Sequence, residues 1–208
     1  AYNFFADLRD VRSVSVFHTL LLSVMISLTL AVVLSSLLYF FRTNVLADYV
    51  VTQLVVSDIL KEYLIRLAWN PLEGILVLTG FFLLLSVVFS ILVRISSLFV
   101  RAKITMLHAY TLTVWAAVPI VFLSPLGMSL FKLMQAPFYV VPSFVVLFLF
   151  LFWVIIRGLK GISVIYDVSS MKAYVGGGLA AVILIVLFVV YYDSEFSLTA
   201  YLQFLYNV

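Results

Sequence analysis

Five long runs of apolar residues dominate the chain, and none of them contains an aspartate or a glutamate. Each run reaches about 20 residues or more, the length that an α-helix needs to cross the hydrocarbon core of a bilayer. The pattern therefore predicts transmembrane helices at residues 16–41, 74–93, 104–123, 133–156 and 173–192. The predicted fold is an all-α polytopic membrane helical bundle, in which residues 1–192 form a single membrane domain.

Interfacial amphipathic helices are predicted beside these spans. Residues from about 45 to 69 carry apolar side chains at helical spacing, which is typical of a helix lying in the membrane interface. Its charged residues share the opposite face: Asp58, Lys61, Glu62 and Arg66. Glu62 and Arg66 have the spacing of a favourable ion pair. The aromatic-rich start of the chain and the amphipathic tail, residues 193–208, are interpreted in the same way.

Proline and glycine residues predict irregular backbone in the third and fourth spans. The sequence Ser124-Pro125-Leu126-Gly127 predicts a turn that ends the third span. Pro137 and Pro142 both lie in the first half of the fourth span, and they predict a kink or an irregular start of that helix.

Composition narrows the class of protein. Hydrophobic residues make up 66% of the chain and charged residues 10%, whereas soluble domains have about 45–50% and about 25%. The net charge of +3 is too small and too scattered for a nucleic-acid partner. Cysteine is absent, which excludes disulfides and thiolate sites. Spans without acids also lack the usual groups for proton- or sodium-coupled transport.

Basic residues are distributed unevenly between the two sides that five spans define. Of the 12 lysines and arginines, eight fall on the side of the N-terminus and four on the other. Since basic residues favour cytoplasmic segments, the N-terminus is predicted inside and the C-terminus outside, in a bacterial cytoplasmic membrane. Six basic residues are expected on the inner face: Arg94, Arg101, Lys103, Arg157, Lys160 and Lys172. They either bind anionic lipid or a partner, or they only orient the chain in the membrane.

A candidate polar site lies near the predicted inner ends of the first and third spans. Its members are His18, His108, Thr111 and Trp115. One interpretation is a pH-sensitive or ligand-contacting site, and the simpler one is histidines bonded to a neighbouring helix or to headgroups. Two histidines without an acid do not complete a zinc site, so no metal and no cofactor is predicted.

Small residues four apart predict close helix packing within the bundle or against another subunit. The candidate packing residues are Gly176, Gly177, Gly178, Ala180, Ala181, Ser23 and Ser27. The glycine run is not interpreted as a phosphate loop, because no strand precedes it and no Lys-Ser/Thr follows. Hydroxyls inside spans usually bond a carbonyl of their own helix or bridge helices, and no enzymatic motif accompanies them.

The stretch WVIIRGLKGISVIYDVSSMKA at residues 153–173 resembles the Yip family, most closely its bacterial members. Its features are a Trp near the end of the fourth span, a Gly-Leu connection, and Lys-Ala at the start of the fifth. The similarity covers about residues 16–192. It implies five spans, a cytoplasmic N-terminus and a non-catalytic accessory subunit, often beside transporter components such as ABC systems. The long N-terminal region of eukaryotic members is expected to be absent, so Rab binding is not carried over.

Two functions follow as hypotheses. The first is a non-enzymatic accessory or scaffold subunit that packs against other integral membrane subunits, for example in an ABC-type transporter complex. The alternative is a transport-active permease subunit with a substrate path near the proline-broken fourth span. A permease is expected to have a water-accessible polar cavity near the midplane. An accessory subunit is expected to have a solid bundle whose outer face a partner covers.

Overall fold

The structure is a computed structural model that describes residues 2–10, 15–41, 58–100, 102, 104–134 and 136–196. Its helices are α1 (Tyr2–Arg9), α2 (Val16–Phe41), α3 (Asp58–Trp69), α4 (Pro71–Val100), α5 (Met106–Ala116), a 3-10 segment (Val118–Leu123), α6 (Ser124–Met134), α7 (Pro137–Ile165) and α8 (Ser170–Phe196). Five stretches are long and apolar enough to cross a membrane: Val16–Phe40, Pro71–Val100, Met106–Leu130, Phe138–Ile165 and Ser170–Tyr191. The predicted all-α polytopic bundle is confirmed.

Helix α2 lies at the centre of this bundle. It packs mainly against α4 and α6, and it also contacts α3, α5 and the 3-10 segment. Small hydroxyl residues make up much of its buried surface, including Thr19, Ser23, Ser27 and Ser35. Short side chains let neighbouring helices approach closely, which explains how α2 can pack against so many of them.

The turn predicted at Ser124–Gly127 is wrong. The chain leaves α5 through the 3-10 segment and continues directly into α6, where Pro125 occupies the first turn. Proline is tolerated there because the first amide groups of a helix have no partner within it. Gly127 is helical and buried, and a Cβ added to it would lie 2.9 Å from Val33 Cγ2. The Ser36 hydroxyl also donates to the Gly127 carbonyl oxygen at 2.9 Å. This glycine therefore marks a close approach of α2 and α6.

Helix α7 begins later and ends later than the fourth span predicted at residues 133–156. Ala136 precedes the helix in an extended conformation with φ −94° and ψ 117°, and Pro137 occupies the first turn, which is an ordinary helix start rather than the irregular one predicted. Pro142 lies inside the helix. Since α7 continues to Ile165, Arg157 lies within the helix rather than in a connection.

The junction between α7 and α8 is a tight turn. Asp167 has a φ of 54°, a left-handed conformation that aspartate tolerates better than most residues. Ser163 donates to the Val168 carbonyl oxygen at 2.8 Å and lies 3.2 Å from the Ser170 hydroxyl. Helix α8 then runs to Phe196, so the predicted tail begins as part of a helix, and residues 197–208 lie outside the described residues.

Helix α3 forms the described part of the predicted amphipathic helix, of which residues 45–57 lie outside the described residues. Leu67 and Ala68 are buried where α3 contacts α2 and α4. The Arg66 Nη2 atom pairs with Glu73 Oε1 at 2.9 Å, across the junction with α4, rather than with Glu62 as predicted. This ion pair ties the amphipathic helix to the span that follows it.

Helix α1 is docked into one end of the bundle. Phe5 and Leu8 are buried in a cluster with α5 and with the end of α7. The Phe4 ring stacks on Trp115 with ring centroids 4.4 Å apart. A Cβ at Gly161 would overlap Leu112 and lie 3.1 Å from the Phe5 ring, so α1, α5 and α7 meet closely there. Phe4 and Phe5 thus face protein.

Candidate functional site

An elongated apolar cavity, here called the slot, lies between α2, α4, α5 and α7 and has a volume of about 400 Å³. Its walls run from Phe82 to Val93 on α4 and from Leu151 to Ile162 on α7. From the first to the last of these residues, each helix advances by eleven steps, or about 16 Å. The slot is therefore long and follows the helix axes. Its volume lies within the range of roughly 300–1,000 Å³ that is usual for ligand pockets.

The few polar groups of the slot are hydroxyls, and no charged side chain of the described residues lines it. Ser86 donates to the Leu83 carbonyl oxygen at 2.7 Å, and Thr113 donates to the Ala109 carbonyl oxygen at 2.9 Å. These two hydroxyls are therefore satisfied within their own helices. Ser23 differs, because it is 2% exposed and its Oγ has no hydrogen-bond partner among the described residues. The slot thus combines apolar walls with this unsatisfied hydroxyl beside them.

The slot opens sideways between α4 and α7. Helix α4 packs mainly on α2 and α5, and α7 packs on α1, α5, α6 and α8, so α4 and α7 make at most a marginal contact with each other. Three lining side chains are about half exposed: Phe89 at 50%, Leu151 at 53% and Ile155 at 50%. In a chain that spans a membrane, this opening faces the lipid.

Tyr166 joins the two walls at one end of the slot, here called the Tyr166 end. Its hydroxyl bonds the Ser96 hydroxyl at 2.7 Å and donates to the Val93 carbonyl oxygen. Burial raises the pKa of Tyr166, and the hydrogen bond with Ser96 opposes part of that effect. The phenol therefore stays protonated at neutral pH and remains able to donate. Sequence analysis missed this residue, since nothing in the pattern pairs positions 70 residues apart.

Replacing Tyr166 with phenylalanine is expected to lower the free energy of unfolding by about 1 kcal/mol, the net value of a typical hydrogen bond. Thermal unfolding in a mild detergent measures this loss. Tyr174→Phe on α8 is the matched control, because Tyr174 is 37% exposed and lies away from the slot. Equal midpoints for the two variants would contradict the role given to the Tyr166 hydroxyl.

Each candidate polar residue has contacts of its own in the structure. Trp115 Nε1 donates to Thr19 Oγ1 at 3.3 Å, so the indole ties α5 to α2. His18 is exposed beside Phe17, with ring centroids 6.0 Å apart. His108 lies in the first turn of α5, where its backbone amide donates to the capping Thr105 hydroxyl at 3.3 Å. Thr111 is buried. Within the described residues, no group of three metal-ligating side chains occurs.

The basic residues expected on one face are only partly described, since Arg101 and Lys103 lie outside the described residues. Arg94, Lys160 and Lys172 are exposed. Arg157 is half-buried, and its Nε has no hydrogen-bond partner among the described residues. Arg94 is adjacent to Val93, so it lies at the Tyr166 end of the slot. Arg157 and Lys160 lie in the last three turns of α7, and Lys172 lies in the first turn of α8.

Helix α8 is the outlying member of the bundle and packs substantially only on α7. Gly177 makes this contact, because a Cβ there would overlap Leu159 Cδ2 and lie 3.0 Å from Leu159 Cδ1. Gly176 and Gly178 face open space, with nothing within 4 Å of an added Cβ. From Gly178 to Tyr191, Ala180 and Ala181 included, every residue is exposed. Of the glycines predicted to pack, Gly177 alone makes a close contact with another of the described helices.

The fold and its apolar outer surface define the class of protein, an integral polytopic α-helical membrane protein. Compared with protein-family models, curated proteins and solved structures, the chain matches none. The resemblance to the Yip family therefore stays a prediction.

Proposed function

We propose that the protein is a non-enzymatic membrane subunit that packs against other integral membrane proteins through α8. The observation that supports this most is the small contact of α8 with its own bundle. Only Ala173 and Gly177 are half-buried in the first two turns, and the following residues to Tyr191 are all exposed. Helices in lipid associate by close packing rather than by the hydrophobic effect, so small residues are what a docking surface needs.

The glycine run gives this proposal a physical basis. Glycine within a helix costs about 1 kcal/mol relative to alanine. Gly177 offsets this cost through its contact with Leu159, but Gly176 and Gly178 have no such contact with the described residues. Gly176 and Gly178 lie on opposite sides of α8, so one partner helix can use only one of them. We assign the partner contact to Gly178, which shares its face of α8 with Ala181.

The proposed partner is a transporter complex, including the ABC type, which is what the Yip resemblance implies. In that arrangement the N-terminus is cytoplasmic, and the basic residues at the Tyr166 end contact anionic headgroups or an acidic subunit. The permease alternative has less support. The slot is apolar rather than a polar path, and Pro142 lies nine residues before Leu151, the first residue of α7 in the slot wall.

Co-purification from native membrane in a mild detergent tests the proposal. We expect other membrane subunits to accompany the wild-type chain in fixed stoichiometry, and Gly178→Leu to release them because its side chain fills the open space. Gly80→Leu is the matched control, since Gly80 also has nothing within 4 Å of an added Cβ but lies on α4.

Gly177→Leu separates docking from folding. This change is expected to disturb the contact between α7 and α8 as well as any complex, whereas Gly178→Leu is expected to affect only the complex. If the wild-type chain purifies alone, or if the same subunits accompany Gly178→Leu and Gly80→Leu, the proposed role of α8 is wrong.

A further inference from the structure

We propose that the slot holds one acyl chain of a bilayer phospholipid, which enters sideways between α4 and α7. This inference is independent of the docking role proposed for α8, because it concerns a different surface. It assigns to the interior of the bundle a lipid-binding site that shape, wall chemistry and one buried hydroxyl define together.

The shape of the slot matches a hydrocarbon chain. The cavity of about 400 Å³ follows the helix axes from residue 82 to 93 of α4 and from 151 to 162 of α7, which is eleven steps along each helix. At 1.5 Å per residue this is about 16 Å, close to half the thickness of the hydrocarbon core, which is about 30 Å. An acyl chain of one leaflet has this length and orientation.

The walls favour hydrocarbon. They are mostly aliphatic and aromatic, and the Ser86 and Thr113 hydroxyls are satisfied by carbonyls of their own helices. The opening at Phe89, Leu151 and Ile155 faces the surrounding lipid, so acyl chains are the apolar groups present there at the highest concentration.

Ser23 indicates the orientation of the lipid in the slot. Ser23 lines the slot, and its Oγ is buried beside the slot with no hydrogen-bond partner among the described residues. Leaving a buried hydroxyl unsatisfied costs about 1–3 kcal/mol, so an acceptor in the slot would stabilise it. Ser23 is seven residues into α2, about 10 Å from the start of that helix. An ester carbonyl of the lipid near the Tyr166 end can reach this hydroxyl, while the acyl chain extends toward the middle of the membrane.

The test is photo-crosslinking after reconstitution into phosphatidylethanolamine–phosphatidylglycerol vesicles that contain a phospholipid with a diazirine in its acyl chain. Irradiation follows a stringent detergent wash, and we then expect crosslinks at residues 82–93 and 151–162, where lipid is retained. Crosslinks on the exposed part of α8 report on bulk lipid, most of which the wash is expected to remove before irradiation.

Two variants probe the site. Gly158→Phe is expected to reduce the slot crosslinks at least tenfold, because Gly158 lines the slot and an added Cβ meets only Ala116 Cβ at 3.8 Å. Gly80→Phe is the matched control on the surface of α4. Ser23→Val keeps the size of the side chain and is expected to reduce the retained lipid about fivefold, the equivalent of one hydrogen bond of about 1 kcal/mol.

Three results would overturn the proposal. The first is a wash before irradiation that lowers the labelling of the slot and of α8 equally. The second is Gly158→Phe and Ser23→Val both retaining wild-type amounts of lipid; if Gly158→Phe does not fold, Ser23→Val alone decides this point. The third is a photoreactive free fatty acid that labels the slot while the phospholipid does not, which would identify a fatty acid as the occupant.

Discussion

Leucine at Gly127 is expected to destabilise the protein by about 1–3 kcal/mol or more, the usual cost of overpacking a close contact. A Cβ at this position already lies 2.9 Å from Val33 Cγ2 and 3.5 Å from the Val33 backbone nitrogen. Backbone cannot move aside as a side-chain end can, so the larger side chain must push α6 away from α2. The same displacement would stretch the hydrogen bond from Ser36 to the Gly127 carbonyl oxygen.

Thermal unfolding monitored by tryptophan fluorescence in a mild detergent measures this effect. Each kcal/mol corresponds to a midpoint shift of about 2–4 °C for a chain of this size. Gly80→Leu controls for placing leucine in a span, because the space around Gly80 is open. A midpoint for Gly127→Leu that equals the Gly80→Leu midpoint would show that α2 and α6 are not in the close contact described.

Leucine at Gly161 is expected to release α1 from the bundle. An added Cβ overlaps Leu112 and lies 3.1 Å and 3.2 Å from two atoms of the Phe5 ring, so the change acts on α1 and α5 together. Since Phe5 and Leu8 are buried only through this docking, their exposure removes a large apolar contact. We expect a loss comparable with Phe→Ala substitutions in cores, about 3–5 kcal/mol.

Hydrogen exchange of the α1 backbone amides, measured with the midpoint of unfolding, distinguishes release of α1 from general destabilisation. Fast exchange limited to residues 2–9 is the expected outcome for Gly161→Leu. Phe5→Ala provides an independent comparison, because it removes the same contact from the other side. If Phe5→Ala destabilises the chain and Gly161→Leu does not, the close packing at Gly161 is incorrect.

The sequence predicts the class of fold well, because a run of about 20 apolar residues has few alternatives to a membrane span. Boundaries are harder to predict for a physical reason. Helices extend past the hydrocarbon core, so α4 includes Glu73 and Arg94, and α7 includes Arg157 and Lys160. Charged residues therefore mark where the apolar core ends but not where the helix ends. Pro125 illustrates the same difficulty, since it signals a turn locally but fits the first turn of α6.

The interior of the bundle could not be predicted from the pattern. Spans such as α2 and α8 are apolar on all sides, so they carry no amphipathic signal for which face meets which neighbour. Ser23 illustrates the consequence, because its small side chain predicts the burial that the structure shows, but nothing in the pattern indicates that it also lines the slot. The bond between Ser96 and Tyr166 depends on the pairing of α4 with the end of α7, which only the folded chain defines.

The central position of α2 has a consequence for biosynthesis. It precedes in the chain all the helices that it packs against, namely α3, α4, α5, the 3-10 segment and α6. Each of these elements therefore meets a neighbour that has already been made when it leaves the ribosome. Chains generally fold from the N-terminal side during synthesis, and this topology lets assembly keep pace with translation.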